Sequence, residues 1–221
     1  MENQKTKHVV TYVILILIAS AVSYYIYTDI KSTSPATEQQ GELSENKTDN
    51  EESMADSVPV TKNIVSIATP VLNRAIPAGA DLSPEVRAIL EKRIKDWSDK
   101  IAKEPNNWES WLYLGVEYKT ASDYEGAREA WEYSNYLLPN SVAYQNLGDL
   151  YAYYLHDNAK AEAHFLEAIR LSPTAEYLYF KTAEFYRDVL KNIPKARAIA
   201  EKGIAQNPSS SDLKSLLSSL K

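Results

Sequence analysis

The chain has no cysteine, only three histidines and only six glycines in 221 residues. Without cysteine there is no disulfide, no thiolate nucleophile and no cysteine-ligated metal. His8 flanks an apolar run, while His156 and His164 stand eight residues apart on either side of an expected turn. Zinc needs three or four converging ligands, so no metal site is assigned. The glycines are scattered, and no glycine-rich phosphate loop is present. Basic residues are unclustered too, which argues against nucleic acid as a partner, because neutralising phosphates takes grouped Lys and Arg. Ser209 to Ser211 reads as a helix cap, and the neighbouring acids Glu129 and Glu132 read as a solvated helix face. No constellation of nucleophile, base and oxyanion donors remains, so the chain is read as a non-enzyme with no catalytic residue and no cofactor.

What is present divides by composition. Net charge is −6, distributed as +1 over residues 1–28, −5 over 29–83 and −2 over 84–221. Residues 1–8 form a short polar tail. Val9 to Tyr27 then runs without a charge; as a helix rising ~1.5 Å per residue it would span about 28 Å, close to a bilayer's ~30 Å hydrocarbon core. Residues 9–28 are therefore expected to be a single transmembrane anchor. Lys5 and Lys7 precede it and acids follow it, which favours an N-terminus inside and the remainder of the chain outside the cytoplasm. The alternative is a signal peptide cleaved near Ala19-Ser20-Ala21, giving a secreted product. Against it, Val22 to Tyr27 stays apolar apart from Ser23.

Residues 29–82 read as a low-complexity acidic linker. The first half, through Ser57, has almost no large apolar residue and cannot offset the entropy of ordering. As a coil, the ~55 residues would reach about 40 Å. The second half is punctuated by Pro59, Pro70 and Pro77 and holds the apolar run Ile64-Val65-Ser66-Ile67-Ala68. Two readings stand: a sticky linker, or a segment Ile64 to Leu72 that lies along the following domain.

From residue 83 the sequence repeats. Pro105, Pro139, Pro173 and Pro208 are spaced by 34, 34 and 35 residues, and Ala127, Ala161 and Ala196 keep the same beat. Trp111, Leu114 and Tyr118 fall at i, i+3 and i+7, one face of a helix. Gly115 on that helix costs roughly 1 kcal/mol against alanine, which implies that a neighbour passes too close for a Cβ. Ser122 with Glu125 fits a capping box for the second helix, and Pro139 stops it. Tyr144, Leu147, Gly148, Tyr151, Ala161 and Phe165 repeat the pattern with one extra residue near Tyr154 to Asp157. Tyr179, Ala183, Tyr186, Ala196, Ala200 and Gly203 repeat it again, with one extra residue before Ala196. Ser83-Pro84-Glu85 opens a leading helix, and Leu213, Leu216, Leu217 and Leu220 mark an amphipathic final one.

The unit Trp111-x-x-Leu114-Gly115-x-x-Tyr118 with Ala127, Trp131 and Pro139 resembles the tetratricopeptide repeat, a 34-residue helix-turn-helix. The resemblance covers about half the chain. It implies an all-α helical-hairpin solenoid over residues 83–221, with repeats at about 108–140, 141–175 and 176–209 and a capping helix at 210–220. It also implies a concave groove lined by the first helix of each repeat, holding a protein or peptide partner. The positions that match are Glu109, Leu112, Val116, Lys119 and Thr120; Val142, Gln145, Asp149, Ala152 and Tyr153; and Tyr177, Phe180, Glu184, Arg187 and Asp188. Leu112 and Val116 stand where members that bind acidic chaperone tails carry Lys and Asn, so an apolar or weakly basic segment suits this groove better. The expected function is a membrane-anchored adaptor that recruits a partner protein at the cell envelope. Alternatives are an envelope chaperone or translocon-associated assembly factor, and a non-catalytic subunit of an envelope enzyme. Nothing in the sequence fixes the oligomeric state.

Overall fold

A computed structural model describes residues 67–220. The tail expected at 1–8, the transmembrane anchor expected at 9–28 and the expected linker as far as residue 66 lie outside the described residues, as does Lys221. Within the described part the chain is all-α, with eight helices and no strand. These are α1 (Pro84–Lys103), α2 (Trp108–Thr120), α3 (Tyr124–Leu137), α4 (Ser141–Tyr153), α5 (Asn158–Leu171), α6 (Glu176–Glu184, extended by a π-helical turn at Phe185–Val189), α7 (Ile193–Gln206) and α8 (Ser211–Ser219). No helix among them is long and apolar enough to cross a membrane.

Seven of the eight helix starts are capped by a side chain, α6 after Ala175 being the exception. Ser83, Asn107, Asp123, Asn140, Asp157, Asn192 and Ser210 sit at N-caps, and each side chain accepts a hydrogen bond from a backbone N–H three residues on. Such a cap satisfies one of the four orphan donors at a helix start. The cap of α3 is Asp123, not Ser122 as the sequence spacing with Glu125 suggests. Ser122 instead takes a left-handed backbone, φ 63°, as do His156 at 54° and Lys191 at 51°. These three residues occupy the same place in successive turns. A residue committed to reversing the chain there cannot also have the extended geometry of an N-cap, so the cap passes to the next residue.

The extra residue of the second and third units is taken up in this turn. Asp123 N–H donates to the Tyr118 carbonyl, five residues back, at 2.9 Å. In the later turns the corresponding bonds run six residues back, Asp157 to Tyr151 at 3.0 Å and Asn192 to Tyr186 at 2.8 Å. In the third unit the surplus winds the end of α6 into its π-helical turn, a common way to absorb one residue in a helix.

The helices pack as consecutive hairpins, α2 on α3, α4 on α5 and α6 on α7, with α1 covering α2 and α8 covering α7 and part of α6. Trp111, Tyr118, Trp131, Phe165 and Tyr179 are fully buried between them. Gly115 shows why the first helix carries a glycine: a Cβ there would lie 2.6 Å from Cδ1 and 2.9 Å from Cε2 of Trp131. The indole is pinned, its Nε1 donating to the Leu112 carbonyl at 3.0 Å, so it cannot swing away. Gly115→Ala is expected to lower the unfolding free energy by about 1–3 kcal/mol, the range for overpacking a core. A denaturant titration with an unchanged midpoint would show that α3 can retreat from α2.

The chain before α1 is not a free linker where it is described. Thr69 Oγ1 lies 3.3 Å from Tyr133 Oη, Tyr118 Oη donates to the Val71 carbonyl at 3.4 Å, and Asn73 N–H donates to Ser98 Oγ at 3.2 Å. Arg74 forms a fork on Asp123, Nε to Oδ2 at 2.6 Å and Nη2 to Oδ1 at 3.1 Å. Ile76 is buried, and Arg87 donates to the carbonyls of Ile76, Pro77 and Ala80 at 3.4 Å each. Residues 69–76 thus lie across α1, the end of α2 and α3; of the segment Ile64 to Leu72 named in the second reading, residues 64–66 lie outside the described residues and Ile67 is 40% exposed. We refer to them as the strap.

Candidate partner-binding face

The residues singled out from the sequence lie on the three first helices of the hairpins, α2, α4 and α6. They differ in what they offer to solvent. Leu112 is buried, and its carbonyl is taken by Trp131. Ala152 is buried as well. Glu109, Val116, Lys119, Val142, Gln145, Asp149, Phe180, Glu184 and Arg187 are half-buried, while Thr120, Tyr153, Tyr177 and Asp188 are exposed.

The structure brings the charged members together across the helices. Asp149 on α4 accepts a short hydrogen bond from Gln145 Nε2, one turn earlier. Burial pushes its carboxyl above the ordinary range, while Lys119 from α2 and Lys181 from α6 pull it back and Glu184 pushes it further up. Lys119 answers in kind: burial lowers its ammonium, and Asp149 supports the charged form. Rather than sitting on a carboxylate, its Nζ rests over the ring of Tyr154, 5.2 Å from the centroid. On α6, Lys181 Nζ is 3.1 Å from Glu184 Oε2, and Arg187 Nη2 is 2.6 Å from Asp188 Oδ2. The result is an alternating set of cations and anions on α2, α4 and α6, of which Lys119, Asp149 and Glu184 are half-buried and Lys181 and Asp188 exposed; the half-buried charges interact more strongly than at a free surface.

Two exposed aromatic rings stand on the same helices. Tyr153, in the last turn of α4, is 44% exposed, and Tyr177, in the first turn of α6, is 46% exposed. Burial raises both phenols; Asp149, Glu184 and Asp188 add to the effect at Tyr153, whereas a hydrogen bond with Ser141 opposes it at Tyr177. Both remain neutral at physiological pH, each an apolar ring with a polar tip. Such residues dominate protein-recognition surfaces.

Lys181 was not among the residues singled out, although it acts on both Lys119 and Asp149. It follows Phe180 directly on α6 and is exposed, its ammonium paired with Glu184. The two histidines stay apart in role: His156 is the reversing residue of a turn, and His164 stacks on Tyr151 at 5.3 Å. Among the described residues no three His, Asp or Glu side chains stand together as a possible metal site. Glu129 and Glu132 are more engaged than a solvated face implies. Glu129 takes Arg74 at 3.3 Å, and Glu132 takes Arg128 at 2.6 Å and the Tyr151 hydroxyl at 3.2 Å. In comparisons with known proteins, no family model and no curated protein matches this chain.

Proposed function

We propose that the chain is a membrane-anchored adaptor of the tetratricopeptide type, which recruits a protein or peptide partner at the cell envelope through a concave groove lined by α2, α4 and α6. The observation that carries this reading is the convergence of half-buried Lys119, Asp149 and Glu184 and exposed Lys181 from three different helices, beside the exposed ring of Tyr153, with the exposed ring of Tyr177 one turn before Lys181 on α6. Side chains held by rigid helices and already partly desolvated lose little on meeting a partner, which is the physical meaning of preorganisation. Alternating charge fixes register more than it adds affinity, and the rings supply the apolar area.

In this reading residues 9–28 hold the domain to the membrane, and the acidic segment after them sets its distance. The groove has no basic excess, which suits an apolar or weakly basic protein segment and not a nucleic acid. The test is partner capture by the full-length protein from solubilised membranes. Tyr153→Ala with Tyr177→Ala is expected to weaken capture tenfold or more, since a contact ring at a recognition surface is worth about 2 kcal/mol, with the thermal midpoint nearly unchanged. Capture at full strength by the double variant would remove this face from consideration.

A further inference from the structure

The strap has a counterpart in the later hairpins, and the comparison shows what it does. Tyr118, Tyr151 and Tyr186 occupy matching positions near the ends of α2, α4 and α6, and Asp123, Asp157 and Asn192 are the matching caps of α3, α5 and α7. Three residues after each cap come Gly126, Lys160 and Lys195. Lys160 Nζ lies over the ring of Tyr151 at 5.0 Å and 3.3 Å from Asp157 Oδ2. Lys195 Nζ lies over the ring of Tyr186 at 5.3 Å and 2.6 Å from Glu162 Oε1. The second and third hairpins thus supply their own cation between the tyrosine and an acid.

The first hairpin has glycine at that place, and its cation comes from elsewhere. Arg74 of the strap donates to Asp123 and to Glu129, and its backbone N–H donates to Tyr118 Oη at 3.3 Å. A Cβ on Gly126 would stand 2.6 Å from Asp123 Oδ2 and 2.7 Å from Arg74 Nε. The glycine therefore leaves room for a guanidinium brought by another segment.

The strap is also lightly held. Ile76 is its one buried side chain among residues 67–76, Val71 is 65% exposed, and Asn73 adopts a left-handed backbone at φ 54°. Of the residues beneath it, Tyr118 meets the strap through its hydroxyl alone, bonded to Val71 and Arg74, while Trp131 and Ala127 make no hydrogen bond to it. A segment with little apolar burial and solvent-edge hydrogen bonds opens at low free-energy cost.

We propose that the crevice over Tyr118, Asp123 and Glu129, between α1 and α3, is a docking site for an extended segment carrying an arginine followed two residues later by a buried aliphatic side chain. Its resting occupant is the chain's own strap, and a partner segment of the same chemistry binds by displacing it. This site is distinct from the α2–α4–α6 face and does not depend on it. The strap competes at the high effective concentration of a tethered ligand, so the intact chain responds only to a segment that outcompetes it.

The test uses the full chain, wild type and Arg74→Ala, titrated to millimolar concentration with a peptide of residues 67–77 and followed by amide NMR. Expected are shifts at Asp123 and Gly126 in the Arg74→Ala chain, at least tenfold less peptide being needed than for wild type. The same peptide with its own arginine changed to alanine should give no shift. No shift with either peptide, or equal shifts with both, overturns the proposal. Loss of helical circular dichroism in Arg74→Ala overturns it too, since the strap would then be part of the core. In the wild-type chain, the amides of Asn73 and Arg74 should exchange hydrogen at least a hundredfold faster than those of α2 and α3; equal protection contradicts a displaceable strap.

Discussion

Trp131→Ala is expected to lower the free energy of unfolding by about 3–5 kcal/mol, the range for truncating a large buried aromatic. Trp131 is 1% exposed, fills the space that Gly115 leaves on α2, and donates its indole proton to the Leu112 carbonyl. Its removal opens a cavity between the two helices of the first hairpin and takes away the bond that sets their separation. Trp131→Phe keeps most of the apolar volume, so it should cost clearly less. Chemical denaturation of the two variants side by side checks both statements. A loss under about 1 kcal/mol for the alanine variant, well below the expected range for such a truncation, would mean that the hairpin closes without this residue.

Arg93→Ala has the next largest expected effect, through the residue it leaves behind. Glu117 on α2 is 3% exposed, and Arg93 of α1 holds its Oε1 at 2.6 Å. Burial raises the Glu117 carboxyl above its ordinary range, and the Arg93 charge and hydrogen bond pull it back. Breaking a buried pair from one side costs about 3–5 kcal/mol. Arg93 is 37% exposed, so solvent screening places this case at or below the low end, about 3 kcal/mol near neutral pH. The sign of the pH dependence follows from the raised carboxyl. A carboxyl whose folded-state value lies above the unfolded one favours folding below the unfolded value, and that contribution is lost as pH rises through the folded value. Without Arg93 the carboxyl rises further, so the deficit of Arg93→Ala relative to wild type should shrink as pH falls from 8 towards about 4, the ordinary carboxylate range. Adding Glu117→Gln should recover part of the loss at pH 8 and abolish the pH dependence of the difference. A deficit constant across that range would show that Arg93 acts by packing its stem alone.

The helices were legible because each signal is local. The proline rhythm, the small residues at Ala127, Ala161 and Ala196, and the polar residue before every helix but α6, which starts after Ala175, can all be read from neighbours in sequence. Gly115 was legible for the same reason, since a glycine inside a strong helical pattern implies a close neighbour, and Trp131 is that neighbour. The cap of α3 was not, because Ser122 and Asp123 are both good capping residues. Only the handedness of the turn, with Ser122 at φ 63°, decides between them. The strap was only partly legible: its apolar residues suggested docking, but Arg74 finds Asp123 across 49 residues of sequence. No spacing rule reaches that far. The candidate face divides similarly. Helix periodicity places Lys119, Asp149 and Glu184 on their helices, whereas the addition of Lys181 to the charged set and the burial of Leu112 depend on how the hairpins lean on one another.

The most direct measurement is site-specific photo-crosslinking in intact cells from the full-length protein, with the reactive side chain placed at Tyr153 and, for comparison, at exposed Lys202 on α7. If the α2–α4–α6 face receives a protein partner, position 153 yields a discrete adduct of constant mass and position 202 does not. Equal adduct patterns at both positions, or none at 153, would contradict recruitment by this face.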